Sequence, residues 1–145
     1  MDWYDKDFDE LTVHELFKIY KLRALVFNTE QDSAYYDPDD DDPQARHVFC
    51  MAGQELVAYA RYFTTGDHVT FGRVVIAKDH RGQGLGTPLM DHILAGIKRH
   101  FPDKEVIIHA QVQVEGYYRK FGFTSYGDQF IEADRKHVHM KHPGL

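Results

Sequence analysis

The chain has 145 residues, 43% of them hydrophobic and 14% aromatic, and a formal net charge of −6. One domain over residues 1–145 with a real core is expected, wholesale disorder is excluded, and the acidic balance with no basic face speaks against a nucleic-acid binder. No apolar run reaches the length of a membrane span, the acidic start Met1-Asp2-Trp3-Tyr4-Asp5 is no secretory signal, and one cysteine, Cys50, suits a reducing cytoplasm as a small buried hydrophobe.

Trp3 to Phe8 reads as a first strand. Thr12 to Val26 reads as a helix, opened by a capping box of Thr12 with Glu15 and carrying apolar positions Leu16, Ile19, Tyr20, Ala24 and Phe27. Asn28 to Arg46 is an irregular acidic loop. Arg46 to Met51 and Glu55 to Tyr62 form a hairpin around Gly53-Gln54, and Thr64 to Asp67 turns the chain into a strand from Thr70 to Ala77. A glycine-rich turn leads to a helix from Thr87 to about Arg99, with Thr87 as its cap and Pro88 in its first turn. Glu105 to Gln111 is an apolar strand, Val114 to Phe121 a short helix ended by Gly122, and Thr124 to Phe130 and Lys136 to Lys141 two closing strands. The order β-α-β-β-β-α-β-α-β-β predicts an α/β chain of the α+β kind, a mixed sheet with helices on both faces.

The turn itself is Arg81-Gly82-Gln83-Gly84-Leu85-Gly86. A strand, a glycine-rich turn and a helix start make an anion cradle: glycine permits positive φ and close approach, and first-turn N–H groups point at a phosphate. Lys78, His80 and Arg81 surround the turn, with only Asp79 opposing. A nucleoside-triphosphate loop would need Gly-Lys-Ser/Thr where the chain has Gly86-Thr87-Pro88. A dinucleotide fold would need G-x-G-x-x-G and an acidic end to the next strand, which here ends Ala110-Gln111. A helix entry that binds nothing would waste three glycines.

The turn resembles the Arg/Gln-x-x-Gly-x-Gly/Ala signature of the GNAT acyltransferases. Tyr118-Arg119-Lys120-Phe121-Gly122-Phe123 is similar to that family's later Tyr-x-Lys-x-Gly-Phe pattern. Leu22 to Gln31, Tyr35, Asp37, Asp39, Asp40, Arg46-His47, Gly72-Arg73-Val74 and Ala110-Gln111 resemble its ElaA-like branch, so the likeness spans nearly the whole chain. The resemblance implies the GNAT fold, a mostly antiparallel sheet of about six or seven strands splayed at the ligand site. It implies acetyl-CoA as donor, a primary amine as acceptor attacked directly in a ternary complex, no metal, a cytoplasmic location and compatibility with a homodimer. The acceptor is a small-molecule or peptide amine, with no nucleic acid and no membrane.

On that reading the diphosphate sits on Gly82, Gln83, Gly84, Leu85, Gly86 and Thr87, beside Arg81. The pantetheine arm pairs with the edge of Val74-Val75-Ile76, where a backbone N–H polarises the thioester carbonyl, and Gln111 binds the arm or orders water. Tyr118 is the expected acid for the leaving thiolate; packing under its helix is the plainer alternative. Tyr117, about 100° away on a helix, is expected to point elsewhere. Two residues are candidate bases: Glu30, otherwise a surface carboxylate or partner of Arg23, and His109, otherwise a packed strand histidine opposite Ile108 and Ala110. A catalytically degenerate acyl-CoA sensor of the same fold, or a peptide module whose acidic loop grips basic tails, are competing readings.

Asp37-Pro38-Asp39-Asp40-Asp41-Asp42 fails as a calcium loop, lacking glycine at the sixth position and glutamate at the twelfth. It reads as a solvated loop or as a patch attracting a cationic acceptor. His137 and His139 share a strand face as a metal pair would, with no third ligand at a convincing spacing.

Overall fold

The computed structural model describes all residues, Met1–Leu145. Seven strands form one sheet: β1 (Asp2–Asp7), β2 (Arg46–Ala52), β3 (Glu55–Thr65), β4 (His68–Ile76), β5 (Val106–Gln111), β6 (Thr124–Glu132) and β7 (Arg135–His142). Their spatial order is β1-β2-β3-β4-β5-β7-β6, and every neighbouring pair is antiparallel except β4 with β5. Three α-helices accompany them: α1 (Val13–Arg23), α2 (Gly86–His100) and the single turn α3 (Glu115–Arg119).

β3 explains why both faces are covered. Its run Leu56 to Phe63 is buried throughout, and alternate side chains of a strand face opposite ways. Tyr59 points to α1, its hydroxyl 3.4 Å from Arg23 Nη1. Tyr62 points to α2 at Gly96, where a Cβ would run into the Tyr62 hydroxyl and the Asp5 carboxylate. The two long helices therefore lie on opposite faces, and α3 joins α2 through Tyr118 against Phe71.

The capping box of α1 forms as expected: the Glu15 N–H donates to Thr12 Oγ1 at 3.0 Å, and the Thr12 N–H donates to the Glu15 carboxylate at 2.9 Å. The helix does not end at Val26. It widens into a π-helical segment, Ala24–Glu30, in which the Gln31 N–H reaches back to the Val26 carbonyl. Asn28 belongs to this segment and supports its exit by donating to the Ser33 and Tyr35 carbonyls. The buried stripe is Ile19, Leu22, Arg23 and Val26, whereas Ala24, expected on it, is exposed. A guanidinium takes the inward position because two aspartates wait there.

Those aspartates correct the reading of the acidic loop as solvated or as a free anionic patch. Asp37 and Asp42 are buried and pair with Arg23, at 2.8 Å each. Arg61 pairs with Asp42 at 2.8 Å and with Asp39, which its hydrogen bond holds down at about 2. Arg73 donates to the Asp37 carbonyl and to Asp39. Carboxylates out of water require such partners, so three of the loop's charges are spent on folding it over β3 and β4.

Candidate active site

β4 and β5 meet at one rung, Val69 with Val106, where the Val69 N–H donates to the Glu105 carbonyl at 2.9 Å. Beyond that rung the strands diverge. The cause lies in β4, which carries one extra residue opposite Tyr59–Arg61 and holds Arg73 at φ 52. Such a bulge bends a strand and breaks its ladder; the pairing of Arg73 with Asp37 and Asp39 fixes it in place. The edge of Val74 to Ile76 facing β5 is thereby left without a strand.

The divergence opens a cleft of about 1060 Å³. Val74 and Ile76 line one wall and β5 the other; the Val75 side chain is buried instead. Gly86, Tyr117 and Tyr118 stand at the cleft, as do His109 and Glu132.

The glycine turn has the geometry expected of it. Gly82 and Gly84 take φ 76 and 75, and a Cβ at either would meet nothing within 4 Å, so the turn is open to an incoming group. Thr87 is not the helix cap. Leu85, in helical conformation with no side-chain cap, precedes the first turn Gly86-Thr87-Pro88. The N–H groups of Gly86 and Thr87 are therefore not taken by a capping hydroxyl, and Pro88 has none to satisfy. Arg81 ties the turn down: Nε donates to the Ile76 carbonyl at 3.0 Å, and Nη2 meets Glu30 at 2.9 Å. Glu30 thus partners Arg81 and not Arg23, which the buried aspartates occupy; with Val75 and Ile76 the Glu30–Arg81 pair lines a smaller pocket of about 480 Å³. The Gln83 amide donates to the Asp79 carbonyl, and Leu85 is anchored in the core.

Tyr118 packs against Phe71 and Phe123, and burial pushes its hydroxyl up to about 12, so it stays protonated near neutral pH. Tyr117 does not point elsewhere: it lines the same cleft, with its hydroxyl 2.9 Å from where a Gly86 side chain would begin. α3 is one turn long, and both tyrosines fit at its cleft-facing end.

His109 faces away from Ile108 and Ala110, which are buried on the other side of β5, as alternation requires. Its Nδ1 lies 2.9 Å from Glu132 Oε1. An ionised carboxylate only accepts, so Nδ1 carries the hydrogen and Nε2 keeps its lone pair. The hydrogen bond to Glu132 outweighs burial and raises the His109 pKa above 6.5, while the same bond lowers that of Glu132. His137 reaches the other Glu132 oxygen at 3.6 Å, and the His139 ring lies edge-on to His109 with centroids 4.8 Å apart. His137 and His139, expected to share a face, do share it against Phe130, with His137 alone of the two reaching Glu132. At the end of β5 the Gln111 side-chain Oε1 accepts from the Gln113 side-chain amide at 2.6 Å. Glu132 was invisible in the sequence, 23 residues from His109, since only the β5-β7-β6 pairing joins them.

A family model described as an acetyltransferase (GNAT) domain matches residues 22–142. The chain belongs to the GNAT family. Among its GNAT relatives, protein ElaA of Escherichia coli is 35% identical over 97% of this chain and 95% of its own length. A UPF0039 protein of Schizosaccharomyces pombe is also 35% identical, over 97% and 96%. The crystal structure of E. coli ElaA superposes with TM-score 0.93 over 98% of this chain and 99% of that one. An acyl-CoA N-acyltransferase from Pseudomonas aeruginosa, 33% identical, superposes with TM-score 0.94 over 97% and 98%. The protein is therefore an ElaA-like GNAT protein with the acyl-CoA N-acyltransferase fold, an acyltransferase whose donor class is an acyl-CoA. The residues present fit that donor: two open positive-φ glycines before a helix start for the diphosphate, and an unpaired strand edge for the amide-bearing arm. No helix is long and apolar enough to cross a membrane.

Proposed function

We propose that this protein is an acetyl-CoA-dependent N-acetyltransferase that modifies a primary amine by direct attack in a ternary complex. The observation that carries the reading is a single cleft lined by Gly86 at the start of α2, the free β4 edge at Val74 and Ile76, the Tyr118 side chain and the His109–Glu132 pair. The bound donor supplies an acetyl group activated as a thioester. Gly82 to Thr87 hold its diphosphate through backbone N–H groups, and the bulged segment Val74 to Ile76 offers a backbone N–H to the thioester carbonyl.

The acceptor must attack as a free amine. For a lysine-like amine at neutral pH, losing the proton costs about 4–5 kcal/mol. His109 Nε2 takes that proton, directly or through one water, while Glu132 holds the ring and steadies the imidazolium. The nitrogen–carbon bond forms, the carbon–sulfur bond breaks, and the Tyr118 hydroxyl gives its proton to the departing sulfur; the second proton that the nitrogen sheds on becoming an amide returns through water to the tyrosinate, and His109 releases its own to solvent. Glu30, the other candidate base, is engaged by Arg81 and serves to brace the turn. Gln111 orders the arm or a water at the strand end.

Coenzyme release measured over a panel of amines tests the reading. Turnover of at least one amine, with Tyr118→Phe cutting kcat by about 10² or more at unchanged acetyl-CoA affinity, is the expected result. Full activity in the phenylalanine variant would remove Tyr118 from the chemistry. Acetyl-CoA binding without turnover of any amine would leave the degenerate sensor.

A further inference from the structure

Arg135 begins β7, at the tip of the β6–β7 hairpin, and lines the large cleft. The other cationic side chains of the cleft each have a carboxylate. Arg61 meets Asp39 and Asp42, and Arg73 meets Asp37 and Asp39. His68 meets Asp67, and His109 and His137 share Glu132. Arg135 has none: its hydrogen bond runs from Nη2 to the Gln31 backbone carbonyl, at 2.7 Å. A guanidinium presents five N–H donors in a fork that matches a carboxylate, and a half-buried one lacking its anion bears a desolvation cost unreturned.

Its position completes the argument. Arg135 is paired across the hairpin with Glu132, the residue that orients His109. An amine at His109 therefore has this guanidinium at the same rim of the cleft. We propose that Arg135 binds a carboxylate of the acceptor, so that the acceptor is a small carboxylate-bearing amine of the amino-acid class. Two further observations favour it. Of the carboxylates that read as a patch attracting a cationic acceptor, Asp37, Asp39 and Asp42 are neutralised by arginines. A net charge of −6 repels a multiply charged anion but not a zwitterion. The inference rests on the amine-acetylating reading above.

The test compares amines that differ only in the carboxylate: lysine with cadaverine, and phenylalanine with phenethylamine. Each is assayed with the wild type and with Arg135→Gln, with acetyl-CoA affinity measured by calorimetry as the control. The expected result is kcat/KM at least about ten-fold higher for the amino acid. The preference should vanish in the glutamine variant through KM, with acetyl-CoA affinity unchanged. Equal use of both members of each pair, or a preference that survives Arg135→Gln, overturns the proposal. Should no amine turn over, the amine-transfer reading fails by itself. Calorimetric titration of amino acids into the CoA-saturated protein then decides. Binding present in the wild type and lost in Arg135→Gln supports the carboxylate site, and binding absent from the wild type or equal in both overturns it.

Discussion

Arg23 and His109 carry most of the molecule's charged chemistry at the level of single residues. Arg23 is fully buried and neutralises both Asp37 and Asp42. Arg23→Ala leaves two buried carboxylates short of a partner, and the expected loss is about 3–5 kcal/mol, read from urea denaturation midpoints. The base role proposed for His109 requires the neutral imidazole. Activity should therefore fall as pH drops through a pKa held above 6.5 by the Glu132 hydrogen bond. Glu132→Gln removes that charge, so the acidic limb of the pH–kcat/KM profile should move to lower pH while the maximum rate falls. An unmoved limb would show that another group titrates there. The other groups facing His109 are His137 and His139, and both remain in the variant. His109 was recognisable as a candidate from its strand, which the family likeness puts at the splay, with alternation setting it opposite Ile108 and Ala110. Its partner Glu132 was not, because the two are joined by a strand pairing and not by local spacing.

Among the elements, the glycine turn and the bulged β4 are the devices on which the proposed donor site rests. Gly84 sits at φ 75 with open space around it. Gly84→Val strains the backbone by about 1–2 kcal/mol without a clash, so the variant should fold with a modestly lower Tm yet lose acetyl-CoA binding in calorimetry. Gly96 is a contrasting case, packed against Tyr62 and Asp5 with no room for a methyl group. Gly96→Ala should cost about 1–3 kcal/mol of stability and leave the cleft chemistry alone, as Tm and acetyl-CoA affinity measured together would reveal. The turn and its helix were legible from Gly82, Gly84 and Gly86 in order. The cap was not: Thr87 has the right side chain, but Leu85 already adopts helical dihedrals and moves the helix start upstream. The π-helical exit of α1 was equally hidden, since its widened turn answers to the loop that Asn28 grips.

In the whole molecule, one sheet supplies two half-sites that come together only because β4 and β5 separate after a single rung. A donor that fills the resulting cleft binds the native state alone. Acetyl-CoA at about 100 times its Kd should therefore stabilise the protein by about 2.7 kcal/mol, visible as a raised Tm that scales with ligand concentration. No Tm change at saturating acetyl-CoA would contradict the donor assignment. The diphosphate contacts proposed here would come from backbone dipoles at a helix start, which an acidic protein can supply because the carboxylates of its acidic loop are tied up in ion pairs.

The amino-acid order by itself determined the alternation of strands and helices, the glycine turn before α2 and the family. These depend on local rules: periodicity, turn chemistry and the spacing of a few glycines. Tertiary structure alone decided that Asp37, Asp39 and Asp42 are consumed by Arg23, Arg61 and Arg73, that Glu30 braces Arg81, and that Glu132 and Arg135 join His109 at the cleft. The physical reason is that a charge takes whatever partner the fold brings within a few ångströms. Sheet pairing sets that distance across the chain, where no local pattern records it.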